Sequence, residues 1–172
     1  RANELSNLPK FYLDLKSYKK SLLNNSNPFT PSVNLMFALD EALRMMKDEG
    51  LENIFQKHER HKLAVSEAAK KLNLKLFASK ESLSPSITAI ETQNFDAESF
   101  RKSIQDKYGI QLAGGQDHLK GKIFRVGHLG YINDRDIISV ITAIGLTLYE
   151  KNIVNENDIG QALIEAKKHL EK

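Results

Sequence analysis

The stretch "AGGQDHLKGKIFRVGHLG", from Ala113 to Gly130, carries most of the residues able to do chemistry. It holds five of the nine glycines in the 172-residue chain, with two lysines, two histidines and one arginine. Flexible backbone next to cationic side chains first suggests a phosphate cradle. A phosphate loop needs Gly, four residues, then Gly-Lys-Ser/Thr opening a helix. Here five residues separate Gly115 from Gly121, Ile123 follows Lys122, and the next segment is strand-like. A Gly-x-Gly-x-x-Gly dinucleotide fingerprint is absent as well. Metal is the next candidate. The histidines are His58, His61, His118, His128 and His169. His58 and His61 can share a helix face, but no third ligand is near them in sequence, and a site needs three or four. No metal is expected.

A carboxylate clamp fits better. Arg125 lies mid-strand in "KIFRVGHLG", and two-residue alternation puts it on one face with Ile123, Gly127 and Leu129. A buried guanidinium without a partner is costly. Its planar fork matches a carboxylate through two hydrogen bonds. Gly127 beside it leaves room for a ligand. On the residues alone, however, a structural ion pair with a nearby Asp or Glu is the commoner role for such an arginine, since most are structural or exposed.

The elements that must hold this stretch follow from periodicity and punctuation. Phe11, Leu13 and Leu15 alternate as in a strand. "NNSNPFTPS" is a turn-rich loop. Thr30 then suits a helix N-cap, with Pro31 at the first helical position and Gly50 as the stop. A second helix follows, with Ile54, His58, His61, Val65, Ala68 and Leu72 on one face. "LKLFAS" alternates, and "SITAIETQ" is rich in β-branched residues, so both read as strands. Asp96 caps a helix that carries Phe100, Ile104 and Tyr108 and stops at Gly109. "IQLAGG" and "KIFRVGHLG" are strands joined by "QDHLKG", where Gln116, Asp117 and His118 are loop residues. Asn133 caps a helix with Ile137, Val140, Ile141, Ile144 and Leu148 on one face, and residues 155–171 form a last amphipathic helix. The expected fold is an α+β layer, a mostly antiparallel sheet with helices on one face. It occupies residues 51–150. Residues 1–50 read as a strand and connecting helix from a neighbouring domain, and 151–172 as a helical extension.

Composition narrows the function classes. Basic residues number 25 and acidic residues 22, for a net charge of +3, and the basic ones are dispersed among acids. A nucleic-acid binder shows a basic stripe with interleaved aromatics, which is missing. No apolar run approaches the length of a membrane span, so neither nucleic acid nor membrane is expected as a partner. The absence of cysteine removes disulfide and thiolate chemistry and is compatible with a cytoplasmic location. The chain starts at Arg1 without a Met and is expected to be a piece of a longer product.

The residues themselves resemble a known family. "PKFYLDLKSYKK", "TPSVNLMFALDEALRMMKDEGLENIFQKH", "SPSITAIE" and above all "GIQLAGGQDHLKGKIFRVGHLG" are similar to the C-terminal part of class V aminotransferases. These are the alanine–glyoxylate, serine–glyoxylate and serine–pyruvate group of pyridoxal-phosphate enzymes; some relatives are called the small subunit of a soluble hydrogenase. The similarity runs to about residue 150. It implies the small domain of a fold-type-I transferase, pyridoxal 5'-phosphate as cofactor, a homodimer, and small amino and keto acids as substrates. It implies that Arg125 binds the substrate α-carboxylate and that Thr30 reaches the cofactor phosphate of the neighbouring subunit. An aromatic that touches this phosphate in some relatives is replaced here by Asn27. The cofactor-bearing lysine, the aromatic that stacks on the ring and the Asp paired with the ring nitrogen lie upstream of this stretch in the family. The fragment alone is therefore expected to be inactive. A stand-alone carboxylate-binding or regulatory module is the rival expectation. A lyase or desulfurase of the same fold is a weaker one, because a cysteine nucleophile is missing.

Overall fold

The computed structural model of the chain describes residues 2–171. They divide into two compact units, Arg1–Glu49 and Gly50–Lys172.

The first unit contains α1 (Ala2–Leu5), a 3-10 turn over Phe11–Leu13, α2 (Leu15–Leu22) and α3 (Val33–Glu49). The expected strand around Phe11, Leu13 and Leu15 is therefore replaced by helical structure. Asp14 decides it. Its carboxylate accepts from the backbone N–H of Lys16 at 3.1 Å and starts α2. From there Leu15, Tyr18 and Leu22 recur at helical spacing, which three alternating residues could not reveal. The helix expected to start at Pro31 with Thr30 as its cap starts later. The first carbonyl to accept is that of Ser32, from Met36 N–H at 3.1 Å, and the helix opens at Val33. α3 buries none of its residues within this unit, although Leu35, Met36, Phe37, Leu39 and Leu43 are all on it.

The second unit carries the sheet. Its elements are α4 (Leu51–Lys71), β1 (Lys75–Leu76), β2 (Ile87–Glu91), α5 (Ala97–Tyr108), β3 (Ala113–Gly114), β4 (Ile123–Gly127), α6 (Asp134–Glu150) and α7 (Glu156–Leu170). The four strands pair antiparallel in the order β1-β2-β4-β3. Thr88 and Ile90 of β2 stand opposite Val126 and Phe124 of β4, and these four side chains are buried on one face. α4 and α5 lie against that face, α6 packs on both of them, and α7 packs on α4 and α6. The core joins Leu72, Ile90, Phe100, Ile104, Phe124, Ile137 and Leu148, with Phe100 and Phe124 ring centroids 5.1 Å apart. Each such side chain contributes about 1.5–3 kcal/mol through its burial. Ala162, Ala166 and Leu170 of α7 sit in the same core, so residues 156–170 are part of this layer.

Helix ends follow local chemistry. Asp96 accepts from Ser99 N–H at 2.7 Å at the start of α5, and Gly109 closes it in the left-handed conformation at φ +68°. Asn133 and Asp136 form a reciprocal capping box at the start of α6. Replacing Asn133 with Ala is expected to cost about 1 kcal/mol, read as a lower denaturant midpoint with an unchanged slope.

Candidate functional site

On the far face of the sheet the described residues are half-buried or exposed, apart from Ile123. Alternation brings Lys75, Ile87, Ala89, Glu91, Ala113, Arg125 and Gly127 to it. Arg125 stands in the middle of this face. Its register partners are Ala89 on β2 and Ala113 on β3. Both neighbours are single methyls, so neither crowds the guanidinium nor offers it a charge. Gly127, two residues along, is exposed and adds no side chain. Ile123, two residues the other way, is only 4% exposed, because the turn starting at Gly115 lies over it. Leu129 falls beyond the end of β4 and is exposed.

One bond sets the direction of the fork. Arg125 Nε donates to the carbonyl of Gly114 at 2.9 Å. The two terminal nitrogens have no hydrogen-bond or ion-pair partner among the described residues. Glu91, the carboxylate of β2 on this face, pairs with Lys75 at 2.9 Å. The structural ion pair considered for Arg125 is thus absent, and two parallel donors remain. That is the geometry that takes a carboxylate.

The glycine-rich turn is scaffolding. A Cβ on Gly115 would sit 2.1 Å from the Leu119 carbonyl oxygen, so only glycine permits the turn. The Gly121 carbonyl accepts from Ala97 N–H at 2.9 Å, which ties the turn to the start of α5. Gln116, Asp117 and His118 are exposed on it.

Histidines hold the end of β4. His128 is fully buried, donates from Nδ1 to the Pro85 carbonyl at 3.0 Å and accepts at Nε2 from Thr88 Oγ1 at 2.9 Å. That pattern fixes the neutral ring with its proton on Nδ1. Burial pushes its pKa down to about 4, with His61 and His58 adding in the same direction. His58 Nδ1 donates to the His128 carbonyl at 2.9 Å. His61, also fully buried, meets Asp134 Oδ1 through Nε2 at 2.8 Å, and burial lowers its pKa despite that carboxylate. No set of three or more His, Asp or Glu among the described residues is placed to hold a metal ion. The His58–His61 pair singled out by spacing works as packing and backbone support.

Thr30 belongs to the first unit. It is exposed and its hydroxyl has no partner among the described residues. No helix among those residues is long and apolar enough to cross a membrane.

No protein-family model matches the chain. Curated proteins do. The chain is 52% identical to the soluble hydrogenase 42 kDa subunit of Anabaena cylindrica over 91% of its length and 41% of that protein. It is 38% identical to an uncharacterized aminotransferase of Methanocaldococcus jannaschii, over 81% of this chain and 37% of the relative. With the serine–glyoxylate aminotransferase of Methylorubrum extorquens it shares 31% identity over 85% of its length and 37% of the relative. The ureidoglycine–glyoxylate aminotransferase of Bacillus subtilis superposes with a TM-score of 0.86 at 26% identity, over 97% of this chain and 44% of that one. This chain is a homologue of the class V aminotransferases. It spans about two fifths of the length of the curated relatives it matches. The antiparallel sheet with helices on one face is the small α/β domain of the aminotransferase fold. A NifS-like protein shares that fold at 14% identity with a TM-score of 0.58, which speaks for the fold alone.

Several residues of this aminotransferase homologue were not readable as site residues beforehand. Ala89 and Ala113 keep the face open, and the Gly114 carbonyl aims the arginine. Strand register would have been needed to find them.

Proposed function

We propose that this chain is the substrate-carboxylate-binding part of a pyridoxal-phosphate-dependent aminotransferase. The whole enzyme would move an amino group from a small amino acid, serine or alanine, to glyoxylate or pyruvate, as a cytoplasmic homodimer. The observation that carries this reading is the Arg125 fork, anchored through Nε with its other two nitrogens free on an open face. The names of the relatives supply the reaction class.

The residues present fit the cofactor in one respect each. The free Thr30 hydroxyl is a donor suited to a phosphate oxygen. Arg125 is suited to the carboxylate of an amino acid held beside the cofactor. When bound, the cofactor supplies an aldehyde to receive the amino group and a ring that withdraws electrons from the Cα–H bond. Arg125 would both hold the substrate and orient it. Gripping the carboxylate by two bonds fixes the rotation of the substrate about its Cα, which selects the bond to be broken. The exposed apolar residues of α3 favour a chain that works within a larger enzyme over a stand-alone carboxylate-binding module.

The test is amino transfer by the full-length protein. Serine with glyoxylate or pyruvate, and alanine with glyoxylate, should give the exchanged amino and keto acids. The protein should also show a visible absorbance band from bound cofactor that responds to the donor. A full-length protein with no such band and no exchange overturns the reading in favour of the module. Thr30→Ala should weaken cofactor binding about 10-fold or more, the cost of one hydrogen bond to a charged group, read by titrating the cofactor into the full-length apo-protein.

A further inference from the structure

Arg101 is absent from every motif considered so far, yet it lies behind the aim of Arg125. β3 is a two-residue edge strand, paired on one side only, with β4. So short an edge frays unless something else holds it. On its outer side Arg101 of α5 donates from Nε to the Leu112 carbonyl at 2.7 Å, just before the strand. Arg101 Nη1 bonds Glu98 Oε2 at 2.9 Å, one turn back on the same helix. The pair then lies against the Cα of Gly114. A Cβ there would come within 2.5 Å of Glu98 Oε1 and 2.6 Å of Arg101 Nη1. Glu98 Oε1 is buried at this contact with no hydrogen-bond partner, so closeness to glycine is maintained at the expense of a polar contact. The carbonyl of that same Gly114 receives Arg125 Nε at 2.9 Å.

We propose that Arg101, braced by Glu98, is a positioning residue for Arg125: it pins β3 through the Leu112 carbonyl and the Gly114 Cα, so that the Gly114 carbonyl holds the guanidinium in its carboxylate-binding orientation. The proposal rests on the reading of Arg125 as the carboxylate grip. It explains why position 114 carries glycine although its backbone does not require it; among the glycines with positive φ are Gly109, Gly121 and Gly130, not Gly114. It also explains why a helix-surface arginine is only 21% exposed.

The experiment is a double-mutant cycle in the full-length holoenzyme with serine as donor. Arg101→Gln is expected to raise KM for serine about 10-fold, the loss of one hydrogen bond to a charged group, with kcat changed much less. In the Arg125→Ala background the same change should add nothing, because the group it positions is gone. Arg101→Lys keeps one donor and should recover part of the affinity. Gly114→Ala pushes the pair away from the other side and should give the same KM-weighted defect; it carries the test if Arg101→Gln does not fold. Additive effects of Arg101→Gln and Arg125→Ala, or equal losses in kcat and KM, would mean that Arg101 only supports the fold, and would overturn the proposal. If Arg125→Ala acts and both Arg101→Gln and Gly114→Ala do not, positioning fails alone. If Arg125→Ala itself leaves serine KM unchanged, the grip and the proposal built on it both fall.

Discussion

Arg125→Ala in the full-length enzyme is expected to lower kcat/KM for carboxylate-bearing donors about 100-fold or more, chiefly through KM. The figure follows from removing two charge-assisted hydrogen bonds, each worth about 1.5–3 kcal/mol. The direction follows from the geometry. Nε is committed to the Gly114 carbonyl, so the loss falls on the two nitrogens that have no protein partner. A donor amine without a carboxylate is the control. Its turnover should be poor in the wild type and hardly change in the variant, so that discrimination between amino acid and plain amine collapses. Arg125→Lys should lie between, because an ammonium offers a point charge where a planar fork is needed. Unfolding midpoints close to wild type in both variants would confirm that the effect is on binding. Unchanged KM with a lowered midpoint would make Arg125 a structural residue.

What could be read from the sequence was whatever short-range chemistry determines. Helix punctuation by Asp96, Gly109 and Asn133 sits where expected, because a cap is decided within four residues. β4 was legible because Phe124 and Val126 alternate with Arg125. The strand read into Phe11, Leu13 and Leu15 failed for the same local reason: Asp14, placed between them, starts a helix and outweighs a three-residue alternation. The site was half legible. Arg125 stood out as a charge on a strand. Its anchor did not, since a backbone carbonyl eleven residues away leaves no trace in residue types. Arg101 is hidden for a related reason, because its bond to Leu112 also ends on backbone. The metal question turned on distance. His58 and His61 share a helix, but each is committed to a different element, the first to the His128 carbonyl just after β4 and the second to Asp134 at the start of α6.

That histidine network sets the second large expectation, a loss of stability on mild acidification. His128 in the folded protein has a pKa of about 4, below the ordinary 6.5, and burial is the main cause. Between those values the unfolded chain binds a proton that the folded chain refuses. Stability therefore rises with pH across this window. The penalty is absent above about pH 6.5 and grows as pH falls towards 4, reaching about 2 kcal/mol near pH 5 at 1.36 kcal/mol per pKa unit. His61 is lowered too and adds in the same direction, with the Asp134 carboxylate opposing it. Denaturant unfolding at pH 7.5 and pH 5 reads the difference. His128→Gln keeps a donor for the Pro85 carbonyl and an acceptor for Thr88 but cannot take up a proton, so its profile should be flatter by roughly that amount. Parallel profiles for the two proteins would remove His128 as the cause. The consequence reaches the site because His128 directly follows β4, and its N–H bonds the Ser86 carbonyl at 3.0 Å. A proton there loosens the end of the strand that carries Arg125. Acid should therefore weaken the carboxylate grip before the core around Phe100 and Phe124 gives way, and KM for serine should climb at a higher pH than the one at which global unfolding begins.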